Sequence, residues 1–334
     1  MWERRALGHS GRMMHRLMIG LFALCLCACQ RDGKEAFVAP RLAPAAPSRA
    51  WPPQGWAWGL LKIGDRPTLR YGVSTTANAP IGDVVILPNY GESAEWWFET
   101  ARDLNGERYT VWVLDGDGQG GSGRYTSQRD LGHTPDFQRD VDGLRALIRL
   151  VIRPAADRPV IVIASGTAAL TALAAAEQGA PLGRIVLSSP GEPSVASAGL
   201  PVAAAKIGLT TLRARGGAAW SREAGRKART PREKAALGWA LANPDLRMGG
   251  PSTGWLEARR DMRAVAMTPA ALASVAAPVT VIAPTADGPV TCAHIPRCMI
   301  RPLPARLPYH IEEDAVRAAW FGALIGELGT DHAS

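Results

Sequence analysis

The chain alternates between short apolar runs and amphipathic stretches. Residues 83–88, 109–115, 159–164 and 184–189 are apolar runs of strand length bounded by turn residues, the pattern of strands buried on both faces. Residues 68–73 predict an earlier strand. Residues 93–104 carry acidic side chains early and Ser93 at their head, which predicts a helix with Ser93 as N-cap. Residues 136–151 carry a helical apolar stripe, and 167–178 are Ala-rich and helical. This alternation predicts an α/β fold, a mostly parallel sheet covered on both faces. It breaks from residue 190 to about 276, a helical stretch with no clear strand, and resumes with a strand over 277–283 and a helix over 313–328. The plan is a doubly covered sheet with a helical insertion after the strand over 184–189.

The N-terminus reads as a targeting segment. Arg12, His15 and Arg16 form a basic lead, and residues 17–26 are an apolar run too short to span a membrane comfortably. The run ends Leu26-Cys27-Ala28-Cys29, which resembles the lipobox of bacterial lipoproteins. That resemblance implies a signal peptide over 1–29, acylation of Cys29, and, with Gln30 following, an outer-membrane protein facing the periplasm. A plain secretory signal with incidental cysteines is the alternative. Residues 30–50 are rich in Pro, Ala and Arg and read as a tether. The expected divisions are then 51–190 for the first part of the core, 191–275 for a lid and 276–334 for the second part.

Export leaves Cys292 and Cys298 in the body, and a disulfide is expected ahead of a metal site: His294 lies between them, but no fourth ligand is evident. No metal or cofactor is expected.

At 334 residues, 47% hydrophobic and 20% charged, the chain can bury a sizeable core. The net charge of +8 is uneven: 191–275 holds 13 basic and 6 acidic residues, and the chain outside 1–50 and that segment is net acidic. Arg213, Arg215, Arg222, Arg226, Lys227, Arg229 and Arg232 are therefore expected to face an anionic membrane surface, or else to be a solvated basic face. Nucleic acid is not expected as a partner in the cell envelope.

Several segments together resemble the lysophospholipase and monoacylglycerol lipase branch of the α/β-hydrolases, which includes the serine aminopeptidase-like hydrolases. Leu87-Pro-Asn-Tyr-Gly-Glu-Ser93 resembles that family's oxyanion-side turn. Trp112-Val-Leu-Asp-Gly-Asp-Gly-Gln-Gly-Gly-Ser-Gly123 resembles its W-V-L-D-x-R-G-Q-G-x-S-G motif, with Asp117 where Arg is usual. Gly132-His133 with 140–144, and Asn243-Pro-Asp-Leu-Arg-Met-Gly-Gly-Pro-Ser-Thr-Gly-Trp255, resemble later segments. The resemblance spans about 60–325. It implies an α/β-hydrolase fold with a lid, a carboxylic ester substrate such as a lysophospholipid or monoacylglycerol, and a Ser–Asp–His triad with backbone donors at Tyr90 and Thr167.

In this register Asp287 matches the acid and His310 the base. The elbow reads Pro159-Val-Ile-Val-Ile-Ala-Ser-Gly-Thr-Ala168, so Gly166 stands at the nucleophile position. Ser165, one residue early, is the alternative nucleophile, but Ile163 and Thr167 would then crowd a turn that needs small neighbours. Gly at a strained φ > 0 position relieves strain, as expected of a site released from catalysis. The segment between Asp287 and His310 is Pro-rich and is expected to lack a full helix. Three functions follow as expectations: a catalytically impaired lipid-binding lipoprotein; an active ester hydrolase using Ser165 or a water with His310; a structural envelope protein. The first is preferred.

Overall fold

A computed structural model describes residues 33, 35–38, 40–42, 46–191, 209–223, 227–285, 292–306 and 308–329. Cys29 and Asp287 lie outside the described residues, as do the signal peptide and much of the expected tether.

Eight strands form one sheet: β1 (Ala57–Leu61), β2 (Leu69–Ser74), β3 (Gly82–Leu87), β4 (Tyr109–Leu114), β5 (Val160–Ser165), β6 (Leu182–Ser188), β7 (Val279–Ala283) and β8 (Cys298–Pro302). Their spatial order is β1-β2-β4-β3-β5-β6-β7-β8. β1 pairs with β2 and β2 with β4 antiparallel, and every later pairing is parallel. The helices are α1 (Phe98–Gly106), α2 (Gln138–Ala146), α3 (Ala169–Glu177), α4 (Pro231–Ala242), α5 (Thr253–Ala266), α6 (Pro269–Ala273) and α7 (Asp314–Gly329).

Strand alternation builds two apolar layers. Val85, Leu87, Val162, Ala164 and Leu187 face α2, α3 and Trp255 of α5. Their neighbours Val84, Ile86, Ile161, Ile163 and Val186 face Ala101 and Leu104 of α1 and Trp320 and Leu324 of α7. Most of these side chains are fully buried, each worth about 1.5–3 kcal/mol for Val, Leu or Ile. Because the strands from β4 to β8 run parallel, the C-terminal ends of β3, β5, β6 and β7 meet at one edge, the place where ligands bind in open α/β sheets. The lid helices α4 to α6 follow β6, the position expected for the insertion.

Four details differ from the sequence expectations. β1 and β8 were not anticipated. The helix expected over 93–104 begins as a 3-10 turn, Ala94–Trp97, and Ser93 makes no side-chain cap bond. The helix expected over 136–151 passes from α2 into a π-helical turn, Leu147–Ile152, and closes on Arg153 at φ +52°. The disulfide expected between Cys292 and Cys298 is present, and between 285 and His310 the described chain holds a 3-10 turn, Cys292–His294, then β8. Two of the arginines expected to face a membrane are tied into the body instead. Arg213 pairs with Asp130 at 3.0 Å, and Arg232 pairs with Glu99 and Asp314 at 2.8 and 2.7 Å.

Candidate active site

β5 ends at Ser165, and Gly166–Ala168 form a 3-10 turn leading into α3. Gly166 has φ +51°, the backbone of a sharp strand-to-helix elbow. Register sets what lies beside it: Leu87 of β3 pairs with Ala164, and Ser188 of β6 pairs with Ser165. The turn after β3 and Ser189 after β6 therefore flank Gly166. Ser165 is buried at 1% exposure and does not line the cavity described below.

The turn after β3 crosses in front of the elbow. Tyr90 N–H and Thr167 N–H converge, at 2.8 and 2.9 Å, on one acceptor, the side-chain Oδ1 of Asn89. The Thr167 hydroxyl donates to the same oxygen at 3.0 Å. The two backbone donors expected from the sequence are thus brought together, with an oxygen of the chain already between them. The Tyr90 side chain is fixed by its hydroxyl donating to Gly249 O at 3.0 Å and by its ring lying edge-on to Trp255 at 4.6 Å.

His310 sits in the 3-10 turn Tyr309–Ile311 before α7. Its ring stacks on Trp97, centroids 3.8 Å apart, and is 2% exposed. Neither ring nitrogen has a hydrogen-bond partner among the described residues, and Nε2 is 3.6 Å from Glu92 Oε2. Burial, and secondarily the charge of Arg317, push its pKa down to about 3, so the imidazole is neutral at physiological pH. Glu92 shows the opposite response to the same apolar setting. Burial pushes its carboxyl up to about 7, although Asn89 N–H and Trp97 Nε1–H donate to it at 3.0 and 3.1 Å.

The lid clamps this turn. Thr230 caps α4 through Glu233 N–H and donates its hydroxyl to Ile311 O at 2.6 Å, while Arg232 donates to Glu312 O at 2.9 Å. Behind the β3 turn, Arg70 is fully buried between Glu95, held by two bonds of 2.8 Å, and Asp115, held at 2.6 Å. Asp115 also accepts from Ala94 N–H at 2.9 Å. This cluster fixes the 3-10 turn that carries Trp97 beneath His310. Asp117, placed where the resembled family has Arg, accepts from Tyr125 and Thr134 hydroxyls at 2.7 and 2.8 Å.

A cavity of about 700 Å³ lies between the sheet edge and the lid. Asn89, Tyr90, Gly166, Thr167 and Ser189 form part of its lining. Trp96, Trp220, Leu237, Leu246 and Met248 give it apolar walls, and Glu92, Ser221, Arg229 and Glu233 add polar groups. His310 is not among its lining residues; it borders a separate space of about 20 Å³. Gly166 and His310 are thus on the same edge of the sheet, but only Gly166 faces the cavity. Among the described residues no group of His, Cys, Asp and Glu could hold a metal ion.

Three residues of this region were not singled out by sequence reasoning. Asn89 lay inside a recognised segment, and its place directly after Pro88 at a strand end was its only signal. Glu92 carried none. Ser189, the last residue of the apolar run 184–189, adopts φ +46°, uncommon for a side-chain-bearing residue.

An eight-stranded, mostly parallel sheet in this order, with a strand-to-helix elbow and a lid after the sixth strand, defines an α/β-hydrolase. Residues 78–295 match the serine aminopeptidase S33 family, and the chain belongs to that family. Among solved structures, a soluble variant of monoglyceride lipase from Saccharomyces cerevisiae is 14% identical, with 89% of this chain and 99% of that one covered and a TM-score of 0.63. The monoacylglycerol lipase of Paleococcus ferrophilus is 17% identical over 79% and 99%, TM-score 0.60. A thermostable carboxyl esterase from Bacillus coagulans is 16% identical over 81% and 98%, TM-score 0.60. At these identities the likeness is one of fold. No curated protein matches the chain.

Proposed function

We propose that this chain is a lysophospholipase-like α/β-hydrolase, by descent a carboxylic ester hydrolase, that binds a monoacyl lipid without hydrolysing it. The observation that carries this reading is the elbow: Gly166 has the φ of +51° of a nucleophile turn and no side chain to attack with. Two further features support it. Ser165, the neighbouring hydroxyl, is buried away from the cavity, and His310 faces Trp97 and Glu92 rather than the cavity. Acyl transfer needs nucleophile and base within hydrogen-bond reach. Asp287 would be the acid of the ancestral triad. The cavity of about 700 Å³ is within the ordinary size range of ligand sites, and monoglyceride lipases and esterases share the fold.

In this reading Cys29 carries a lipid anchor that holds the protein at the outer membrane, facing the periplasm. Arg226 lies outside the described residues; among the described members of that basic set, Arg215, Arg222, Lys227 and Arg229 are exposed and left to meet an anionic surface, since Arg213 and Arg232 are engaged in the fold. The test is a fluorophosphonate probe and turnover of lysophosphatidylcholine and monoacylglycerol by the full chain. No labelling and no turnover are expected. Labelling at Ser165, or turnover lost in His310→Ala, would establish an active hydrolase instead.

A further inference from the structure

The carboxamide of Asn89 lies where a reacting oxygen would have to sit. Two backbone N–H groups from different loops, converging on one point, are the arrangement that stabilises a developing oxyanion. Here the oxygen between Tyr90 N–H and Thr167 N–H belongs to the chain itself. The same carboxamide fills the space in front of Gly166. A Cβ added to Gly166 would fall 2.4 Å from both Cγ and Oδ1 of Asn89 and 2.8 Å from Nδ2. These approaches are far inside van der Waals contact, and a side chain at φ +51° would bring its own strain.

The two positions therefore fit each other and exclude the alternatives. A side chain at 166 must expel the carboxamide, and the carboxamide leaves no room for a side chain. Asn89 is also held from behind, its N–H donating to Glu92 Oε2 at 3.0 Å. Glycine alone would have left an open, hydrated cradle; the asparagine closes it.

We infer that Asn89 is the specificity-determining residue of the cavity: its carboxamide is a built-in occupant of the oxyanion cradle and excludes a ligand's carboxylate or carbonyl oxygen from the Tyr90 and Thr167 donors. A carboxylate would make charge-assisted bonds to these donors, stronger than those of a neutral amide, but it has to displace a tethered competitor at high effective concentration. A ligand is then held by its apolar chain against the Trp96 and Leu237 walls, with its head group away from the cradle. The interlock of Asn89 with Gly166 stands on geometry alone, and the effect on ligands rests on the lipid-binding role proposed above.

The test uses the full chain in detergent as wild type, Asn89→Gly, Gly166→Ala and the double variant. In urea unfolding, Gly166→Ala is expected to lower the folding equilibrium constant at least tenfold more when Asn89 is present than when residue 89 is Gly. Equal losses in both backgrounds would overturn the interlock. Where Gly166→Ala does not fold alone, restoration of folding by Asn89→Gly supports the interlock, and an unfolded double variant overturns it. In calorimetric titration with hexanoate and hexanol, Asn89→Gly is expected to bind hexanoate at least tenfold more tightly than wild type, with hexanol unchanged. No gain for hexanoate, or the same gain for both probes, overturns the exclusion. Binding of neither probe by either protein refutes the lipid-binding role and the exclusion with it, and leaves the interlock to be decided by the unfolding cycle.

Discussion

Replacing Arg70 with Met removes the cation at the centre of a cluster in which all three side chains have no exposure. Wild-type Arg70 makes two bonds to Glu95 and one to Asp115, and stacks 4.1 Å from the Trp58 ring. The substitution keeps most of the apolar stem and leaves two buried carboxylates facing each other. Breaking a buried ion pair by removing one partner costs about 3–5 kcal/mol. Burial already pushes Asp115 up, and Arg70 opposes that push. Without Arg70 the Asp115 carboxyl is raised further in the folded state than in the unfolded one. Its contribution then falls as pH rises, so the deficit is largest near pH 8 and shrinks towards pH 5. Urea unfolding of the full chain at both values measures it. A deficit under about 1 kcal/mol, or one that grows towards pH 5, would refute this account. Because Asp115 holds Ala94 N–H, the variant should also loosen the Trp97–His310 stack, seen as a shifted His310 resonance.

His310, with its folded pKa down to about 3, binds fewer protons folded than unfolded between there and about 6.5; Glu92→Gln should therefore show stability rising with pH across that window, and imidazole NMR should find no titration of His310 between pH 5 and 8. Glu92, raised to about 7, acts in the opposite sense between about 4.5 and 7, and His310→Phe should unmask a decline in stability with rising pH there. Cys298→Ser opens a short disulfide loop and should cost about 2 kcal/mol by chain entropy, read by thermal unfolding with and without reductant. Radiolabelled palmitate fed to expressing cells should label the wild type and not Cys29→Ala.

The central sheet was legible because its strands are continuous apolar runs with both faces buried, as at Val84–Leu87 and Val160–Ala164. The two edge strands were not. β1, Ala-Trp-Gly-Leu-Leu, and β8, Cys-Met-Ile-Arg-Pro, are short and largely half-exposed, and so carry little hydrophobic signal. Gly166 could be placed because its register follows from the run after Pro159. Asn89 could not, because what it does depends on a residue 77 positions away. His310 was found by its place before the last helix, but its concealment depends on Trp97, which reaches it from another element. Arg213 and Arg232 looked free in a basic segment; their partners Asp130 and Glu99 come from outside it.

The most direct measurement incubates the full chain with a lysophospholipid of defined acyl chain and quantifies, by mass spectrometry of the same sample, lipid bound to protein and fatty acid released. The account predicts saturable binding with fatty acid no higher than in buffer, and the same result for His310→Ala. Fatty acid released in proportion to enzyme and abolished by His310→Ala would contradict it.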